Sequence, residues 1–509
     1  YSWDEHNTVT VQYLIWEPDS SGNKLICSTG RPFPMCSNLN SQLYFDLIDR
    51  LIKIRDTHPS FRLMKIDEEL FPKAHLILDD CNVIGGRCNR SPNALSLSKF
   101  FIESWNQKKQ NHIALIGEGG IGKTVALLSL TTKSGFLPRH APAVYIPLYA
   151  LKYNGNTDDC IGKYLLEETL NGDKQQFDEL LKVANQKWIA GPMLVLLLDG
   201  FNEIHCDARF IVIRNIEEWS NKQGVQIIIS SRFDIHCIFS NLSEELTTLR
   251  LQPLSRQQIQ THLLKTNTPP PSESALWAII DYPLMLALYV QAEALQKKNS
   301  LIPLKWLEQR NAGTIVWNYL QRELWLFQSH TKDPNLLIQY VIATEIIAPF
   351  LAWEMVQYGQ FLVSEKDFVL RIAHALTFLR TTDRKKWPEH VQQVIQLCGG
   401  MVSLPDAETF SYLLTQQLNL FCRHESCNGS VVSLMHQRFR DCLAAIHLLN
   451  LSQAISDGDM LPEEWQKPID YYVLNFLADL LTPESFIAEK LWQANRTLQP
   501  TARDATINL

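Results

Sequence analysis

With 509 residues, 46% of them hydrophobic and 20% charged, the chain has an ordinary globular make-up, and its length suits about three or four domains. A net charge of −7 and a pI near 6.1 exclude a chain-wide electrostatic footprint for nucleic acid and leave only a local patch open. Eleven cysteines, an odd number with no Cys-x-x-Cys pair, argue against a disulfide framework or clustered zinc site and point to a reducing cytoplasm.

Residues 1–95 read as an N-terminal region of uncertain fold. Within it Val9 to Ile15 alternates like a strand. Tyr44 to Arg55, with apolar Leu43, Phe45, Leu47, Ile48, Leu51 and Ile52 around and within it, predicts a helix. Asp79-Asp80 reads as a solvated turn, and no nuclease or protease constellation is visible. The chain starts at Tyr1 rather than a methionine, which is compatible with a piece of a longer protein.

The run Ile113 to Ile116 predicts a buried strand, and Val125 to Leu130 the first turns of a helix. Between them Gly117-Glu118-Gly119-Gly120-Ile121-Gly122-Lys123-Thr124 fits GxxxxGK[ST]. Glycines let such a loop curl its N–H groups toward phosphate oxygens at a helix N-terminus. Lys123 then reaches the β- and γ-phosphates, and the Thr124 hydroxyl ligates Mg²⁺. Met193 to Leu198 is an unbroken apolar strand ending in Asp199-Gly200-Phe201-Asn202-Glu203. An aspartate there can hold Mg²⁺, while Glu203 polarises the attacking water and Asn202 positions it. Gln226 to Ile229 predicts a third strand running into Ser230-Ser231-Arg232, which sets Arg232 near the γ-phosphate, to stabilise or report it.

Further along, Leu251-Gln252-Pro253-Leu254-Ser255 precedes a helix that Ser255 can cap, and Tyr282-Pro283-Leu284-Met285-Leu286 opens an apolar one. Tyr340 to Val356 is long and apolar but carries Glu345 and Glu354, so it predicts a core helix rather than a membrane span. Leu418 to Phe421 and Val431 to Leu434, with Asn428-Gly429 between, predict a hairpin. Cys422 and Cys427, with His424 and Glu425 between, read as its polar turn rather than a metal knuckle. The hairpin leads into Ser433 to Ala445, which contains His436 before Phe439 and the Ala444-Ala445 pair. Tyr471 to Leu481 and Trp492 to Leu509 predict helices, and no repeat of about 20 to 50 residues occurs.

In this order, GEGGIGKT, LVLLLDGFNE, IIISSR, the YPLML segment and the His436 segment resemble the NACHT branch of the STAND signal-transduction ATPases. The resemblance implies an α/β P-loop NTPase, a parallel sheet flanked by helices, at 96–250. A helical domain at 251–312, a winged-helix domain at 313–450 and further helices at 451–509 would follow it, the last as a lead-in to a sensor. It implies that residues 117–125, ending in Val125, bind ATP or ADP with Mg²⁺. It also implies that Pro283 packs on the adenine and that His436 contacts the β-phosphate of ADP to latch a closed state. The family's strand motif commonly ends in Asp-Gly-hydrophobic-Asp-Glu, and Asn202 stands where its second Asp would be, which bears on hydrolysis rate rather than on binding. Such proteins are slow ATPases that self-associate when a trigger, often a protein ligand, opens them. Their N-terminal segments often carry effectors, and their roles lie in antiphage defence or innate immunity. A STAND transcription regulator and an ordinary P-loop kinase or ATPase remain as alternatives.

Overall fold

In the computed structural model the described residues are, in the main, 41–58, 112–129, 142–152, 159–187, 192–204, 206–235, 246–293, 306–331, 333–418, 420–424, 430–453, 463–467 and 469–481, with short strands before residue 29 and near 82–96. Asp79-Asp80, the 425–429 turn and the 492–509 segment lie outside them.

Near the N-terminus, strands β1 (Ser2–Trp3) and β2 (Val9–Thr10) pair with each other, as do β3 (Tyr13–Glu17) and β4 (Lys24–Ser28). The single strand expected over 9–15 is therefore divided between two antiparallel pairs. The main sheet contains β5 (Asn82–Gly85), β6 (Leu95–Ser96), β7 (His112–Ile116), β8 (Ala143–Pro147), β9 (Leu194–Asp199), β10 (Val225–Ser231) and β11 (Leu246–Leu251). Its spatial order is β6-β5-β11-β7-β10-β9-β8. Strands β11, β7, β10, β9 and β8 run parallel, while β5 and β6 join antiparallel at one edge. Strands β7, β9 and β10 are buried along their whole length, as expected for parallel strands covered on both faces.

Helix Ser41–Thr57 packs on this sheet, with Leu43 and Leu47 in the core of one face and Leu51 in that of the other. This helix and the edge strands β5 and β6, all before residue 97, are thus joined to the main sheet through apolar contacts of Leu43, Leu47 and Leu51 and through the pairing of β5 with β11.

After β11, Ser255 caps helix Arg256–Lys265 in a reciprocal box with Gln258. Helix Pro283–Glu293 is buried at every position from Pro283 to Ala292. Pro334–Gln357 is long and apolar enough to cross a membrane, yet 78% of its apolar window is buried inside the protein. It is a core helix, and its Glu345 carboxylate pairs with buried His390. A three-stranded sheet of β12 (Leu362–Ser364), β14 (Val431–Leu434) and β13 (Phe421–His424) precedes helix Gln437–Gln453. The first hairpin strand begins at Phe421 rather than spanning 418–421. Leu418 instead ends the preceding helical turn, its N–H donating to the Leu413 carbonyl at 2.9 Å. One continuous apolar core joins the helices after β11, the β12-β14-β13 sheet with helix Gln437–Gln453, and Val473, Phe476 and Leu477 of helix Tyr471–Leu480.

Candidate functional site

Strand β7 delivers the glycine-rich loop to the carboxyl edge of the sheet. Gly117 N–H donates to the Ser231 carbonyl at 3.1 Å, tying the loop to the end of β10. Gly120 has φ +84°, and a Cβ there would also lie 3.3 Å from the Arg438 side chain and 3.4 Å from Leu284, so both conformation and packing demand glycine. At Gly119 a Cβ would stand 3.0 Å from an Arg232 guanidinium nitrogen. The helix Lys123–Ser129 starts directly after the loop, with Ile121 and Val125 buried beneath it. Lys123 Nζ donates to the Gly117 carbonyl at 2.6 Å and to the Glu118 carbonyl at 3.0 Å. Desolvation, reinforced by neighbouring Arg232, brings its ammonium pKa down to about 8.

The strand order puts β10 between the loop strand and β9, so Arg232, just after β10, stands between the loop and Asp199. Asp199 is 7% exposed at the end of β9. One of its carboxylate oxygens accepts from the Tyr145 hydroxyl at 2.8 Å and the other from the Ser230 hydroxyl. Gly200 N–H donates to the same Ser230 hydroxyl at 2.9 Å. The chain then turns through Phe201–Glu203, which brings Asn202 and Glu203 into the same cavity. Burial, then repulsion from Asp199, raises the Glu203 carboxyl to about 7 against the pull of Arg232 and Lys123. A carboxyl near that value can accept a proton from water at neutral pH.

The end of β14 and the start of helix Gln437–Gln453 close the cavity from the other side. His436 and Gln437 line it together with Gly119, Gly120, Gly122, Lys123, Thr124 and Val125. The Arg438 backbone N–H donates to His436 Nδ1 at 3.0 Å, so the ring proton sits on Nε2. Desolvation, followed by the charges of Arg232, Arg438 and Lys123, lowers the His436 pKa to about 3, and the imidazole is neutral. Arg232 donates to the Gln437 side-chain oxygen.

The helical domain touches the loop as well. Leu284 N–H donates to the Gly120 carbonyl at 3.3 Å, and the Tyr282 hydroxyl to the Glu118 carboxylate at 2.7 Å. The Arg438 guanidinium lies 5.0 Å from the centre of the Tyr282 ring. Pro283 packs beside Gly122, whose added Cβ would meet it at 4.0 Å, while Leu284 forms the cavity wall.

Thr124 and Asp199 face the same cavity. One hydroxyl and one carboxylate suit Mg²⁺, which usually takes few protein ligands and completes its shell with phosphate and water. Among the described residues no cluster of three His, Cys, Asp or Glu side chains could hold a metal ion alone. The cavity measures about 150 Å³, room for a phosphate chain and below the ~300–1,000 Å³ of a whole-ligand pocket. His58, Tyr145 and Tyr149 border both it and a neighbouring cleft of about 1690 Å³ between the core and the later helices and three-stranded sheet.

Five parallel strands, with a strand inserted between the glycine-loop strand and the Asp199 strand, settle the architecture. This is a P-loop NTPase fold. No protein-family model matches the sequence, and no match exists among curated proteins. Among solved structures the chain is similar to Cdc6p from Pyrobaculum aerophilum, at 14% identity over 70% of this chain and 92% of that chain, TM-score 0.24. It is also similar to a chain of Drosophila ORC bound to DNA, at 14% identity over 68% and 84%, TM-score 0.27. A third is a signal transduction ATPase with numerous domains and a tetratricopeptide repeat sensor from Pyrococcus horikoshii, at 12% identity over 78% and 49%, TM-score 0.31. The assignment of the fold to this P-loop NTPase rests on its own strand order and loop.

The structure thus gathers Lys123, Thr124, Asp199, Asn202, Glu203, Arg232 and His436 around one cavity. Sequence reasoning missed Tyr145, Ser230, Gln437 and Arg438. Ser230 adjoins a recognised strand end, whereas Tyr145 lies in the apolar run Ala143–Pro147, which marks a strand but not the partner of its hydroxyl.

Proposed function

We propose that this chain is an ATP- and ADP-dependent molecular switch of the STAND class, NACHT type, in which bound ADP holds the nucleotide core and winged helix closed. Exchange for ATP releases the winged helix and exposes surface for self-association. The observation that carries this reading is that His436 and Gln437, at the start of helix Gln437–Gln453, line one cavity with the phosphate loop. A metabolic kinase leaves that edge open for an acceptor and has no use for a histidine delivered by a winged helix.

Lys123, Thr124 and the loop N–H groups would hold the phosphates, Asp199 and Thr124 the Mg²⁺, and Glu203 would activate water in a slow hydrolysis that resets the switch. Asn202 would orient that water, and the adenine would lie toward Pro283. The neutral His436 would donate Nε2–H to the β-phosphate. Mg²⁺, when bound, supplies charge neutralisation of the phosphate chain. The NACHT resemblance supports a cytoplasmic role in defence, antiphage or innate immune, triggered by a protein ligand. The test is sedimentation of the full chain with ADP and with a non-hydrolysable ATP analogue. A monomer with ADP and assemblies with the analogue are expected; one nucleotide-independent species refutes the switch.

A further inference from the structure

Among the described residues that line the cavity, Arg232 reaches from the end of β10 to the phosphate loop and to two later helices. It leaves the end of β10, lies over Gly119 of the phosphate loop, and donates to the Gln437 oxygen at the start of helix Gln437–Gln453. Its guanidinium carbon also stands 5.2 Å from the centre of the Tyr472 ring, in helix Tyr471–Leu480. That helix is not loosely attached elsewhere. The Gly313 N–H donates to the Asp479 carboxylate at 2.9 Å and the Asn311 amide to the Asp479 carbonyl at 2.8 Å. A Cβ on Gly313 would come within 2.7 Å of the Asp479 Cβ, so a side chain there would push the two helices apart. Tyr472 itself is 45% exposed. Its ring therefore contributes less to the core than Val473, Phe476 and Leu477, while one face is engaged by the arginine.

A planar guanidinium offers its donors in one fork and its faces to aromatic rings. Turned onto a γ-phosphate, it gives up the Gln437 oxygen and the Tyr472 face together. We propose that Tyr472 and Gln437 compete with the γ-phosphate for Arg232, making helix Tyr471–Leu480 the element that couples the arginine's position to whether a nucleoside triphosphate or a diphosphate is bound. This rests on the nucleotide-switch reading above. A diphosphate leaves Arg232 on Tyr472 and the helix docked; a triphosphate withdraws the arginine and loosens the contact between helix 471–480 and the nucleotide core.

The test uses the full chain, a fluorescent ADP and a fluorescent non-hydrolysable ATP analogue, comparing wild type with Tyr472→Leu, Tyr472→Phe and Arg232→Met. Loss of a cation–π contact should raise affinity for the analogue relative to ADP by about three- to tenfold in Tyr472→Leu. Tyr472→Phe, which keeps the ring, should match wild type, and Tyr472→Leu should change nothing in the Arg232→Met background. Hydrogen exchange on the wild type should show residues 471–480 faster with the analogue than with ADP, and this readout stands if a variant fails to fold. Equal exchange in the two states overturns the proposal. So does an unmoved affinity ratio in Tyr472→Leu, or an effect that survives Arg232→Met. If wild type binds both nucleotides and only these contrasts fail, the competition is wrong and the switch reading stands. If wild type binds neither nucleotide, both fall.

Discussion

Replacing Lys123 by Met should weaken nucleotide binding and also flatten its pH dependence. Nζ is held by two loop carbonyls at 2.6 and 3.0 Å, so a bound phosphate has to exchange those bonds for stronger ones to charged oxygens. A hydrogen bond between charged groups contributes roughly 1.5–3 kcal/mol net, so the variant should bind about ten- to a hundredfold more weakly. The ammonium pKa of about 8 in the free protein adds a second signature. Phosphate favours the charged form, so binding is strongest below that value and declines as pH rises through it. From about nine-tenths protonated at pH 7 the lysine falls to about one-tenth at pH 9, a loss of about tenfold in affinity. Glu203 titrates near 7 and repels phosphate once ionised, so titrations belong in a Glu203→Gln background. Calorimetry with ADP from pH 6.5 to about 9.5 measures both effects. An unchanged Kd in Lys123→Met, or identical pH profiles for variant and parent, would refute the phosphate-loop assignment.

Glu203→Gln should retain ATP while lowering hydrolysis about a hundred- to ten-thousandfold. In the parent, single-turnover hydrolysis should rise as pH passes through about 7, where Glu203 becomes a base, and then level off. A flat profile would assign the base elsewhere. His436→Ala removes the acceptor of the Arg438 N–H bond, so the closed form should lose about 1–3 kcal/mol and faster ADP release in stopped flow should report it. Because the folded His436 pKa of about 3 lies below its ordinary value near 6.5, its contribution to closure is complete above about 6.5 and is lost as pH falls toward 3. His436→Ala should lack this part of the acid dependence; an unchanged slope in thermal melts would count against it. Arg438→Met gives up the Tyr282 ring contact, so it should speed ADP release by about two- to tenfold with little change in hydrolysis once ATP is bound. Equal release rates would make that contact incidental.

Much of the nucleotide core was legible because its signals are local. Parallel strands covered on both faces must be apolar throughout, so β7, β9 and β10 stood out, and their polar exits at Gly117, Asp199 and Arg232 mark one edge of the sheet. The Ser255 cap was equally readable, since both partners of the box lie within one turn. What escaped depends on distant partners. Tyr145 acquires its meaning only when β8 is laid beside β9, which sets its hydroxyl on Asp199. Arg438 reads as a surface cation until helix Gln437–Gln453 is folded onto Tyr282 and Gly120. The membership of β5 in the main sheet rests on antiparallel pairing with β11 across a long stretch of chain, which no short pattern announces. Leu418 was misplaced because a single apolar residue before a hairpin fits the end of a helix as well as the start of a strand.

The central claim is that the nucleotide decides whether the winged helix stays on the phosphate loop. Hydrogen exchange across residues 433–440 of the full chain, with ADP and with a non-hydrolysable ATP analogue, measures that contact directly. Protection with ADP and marked loss of it with the analogue is the result this account predicts. Equal protection with both nucleotides, at concentrations shown to saturate the site, would contradict it.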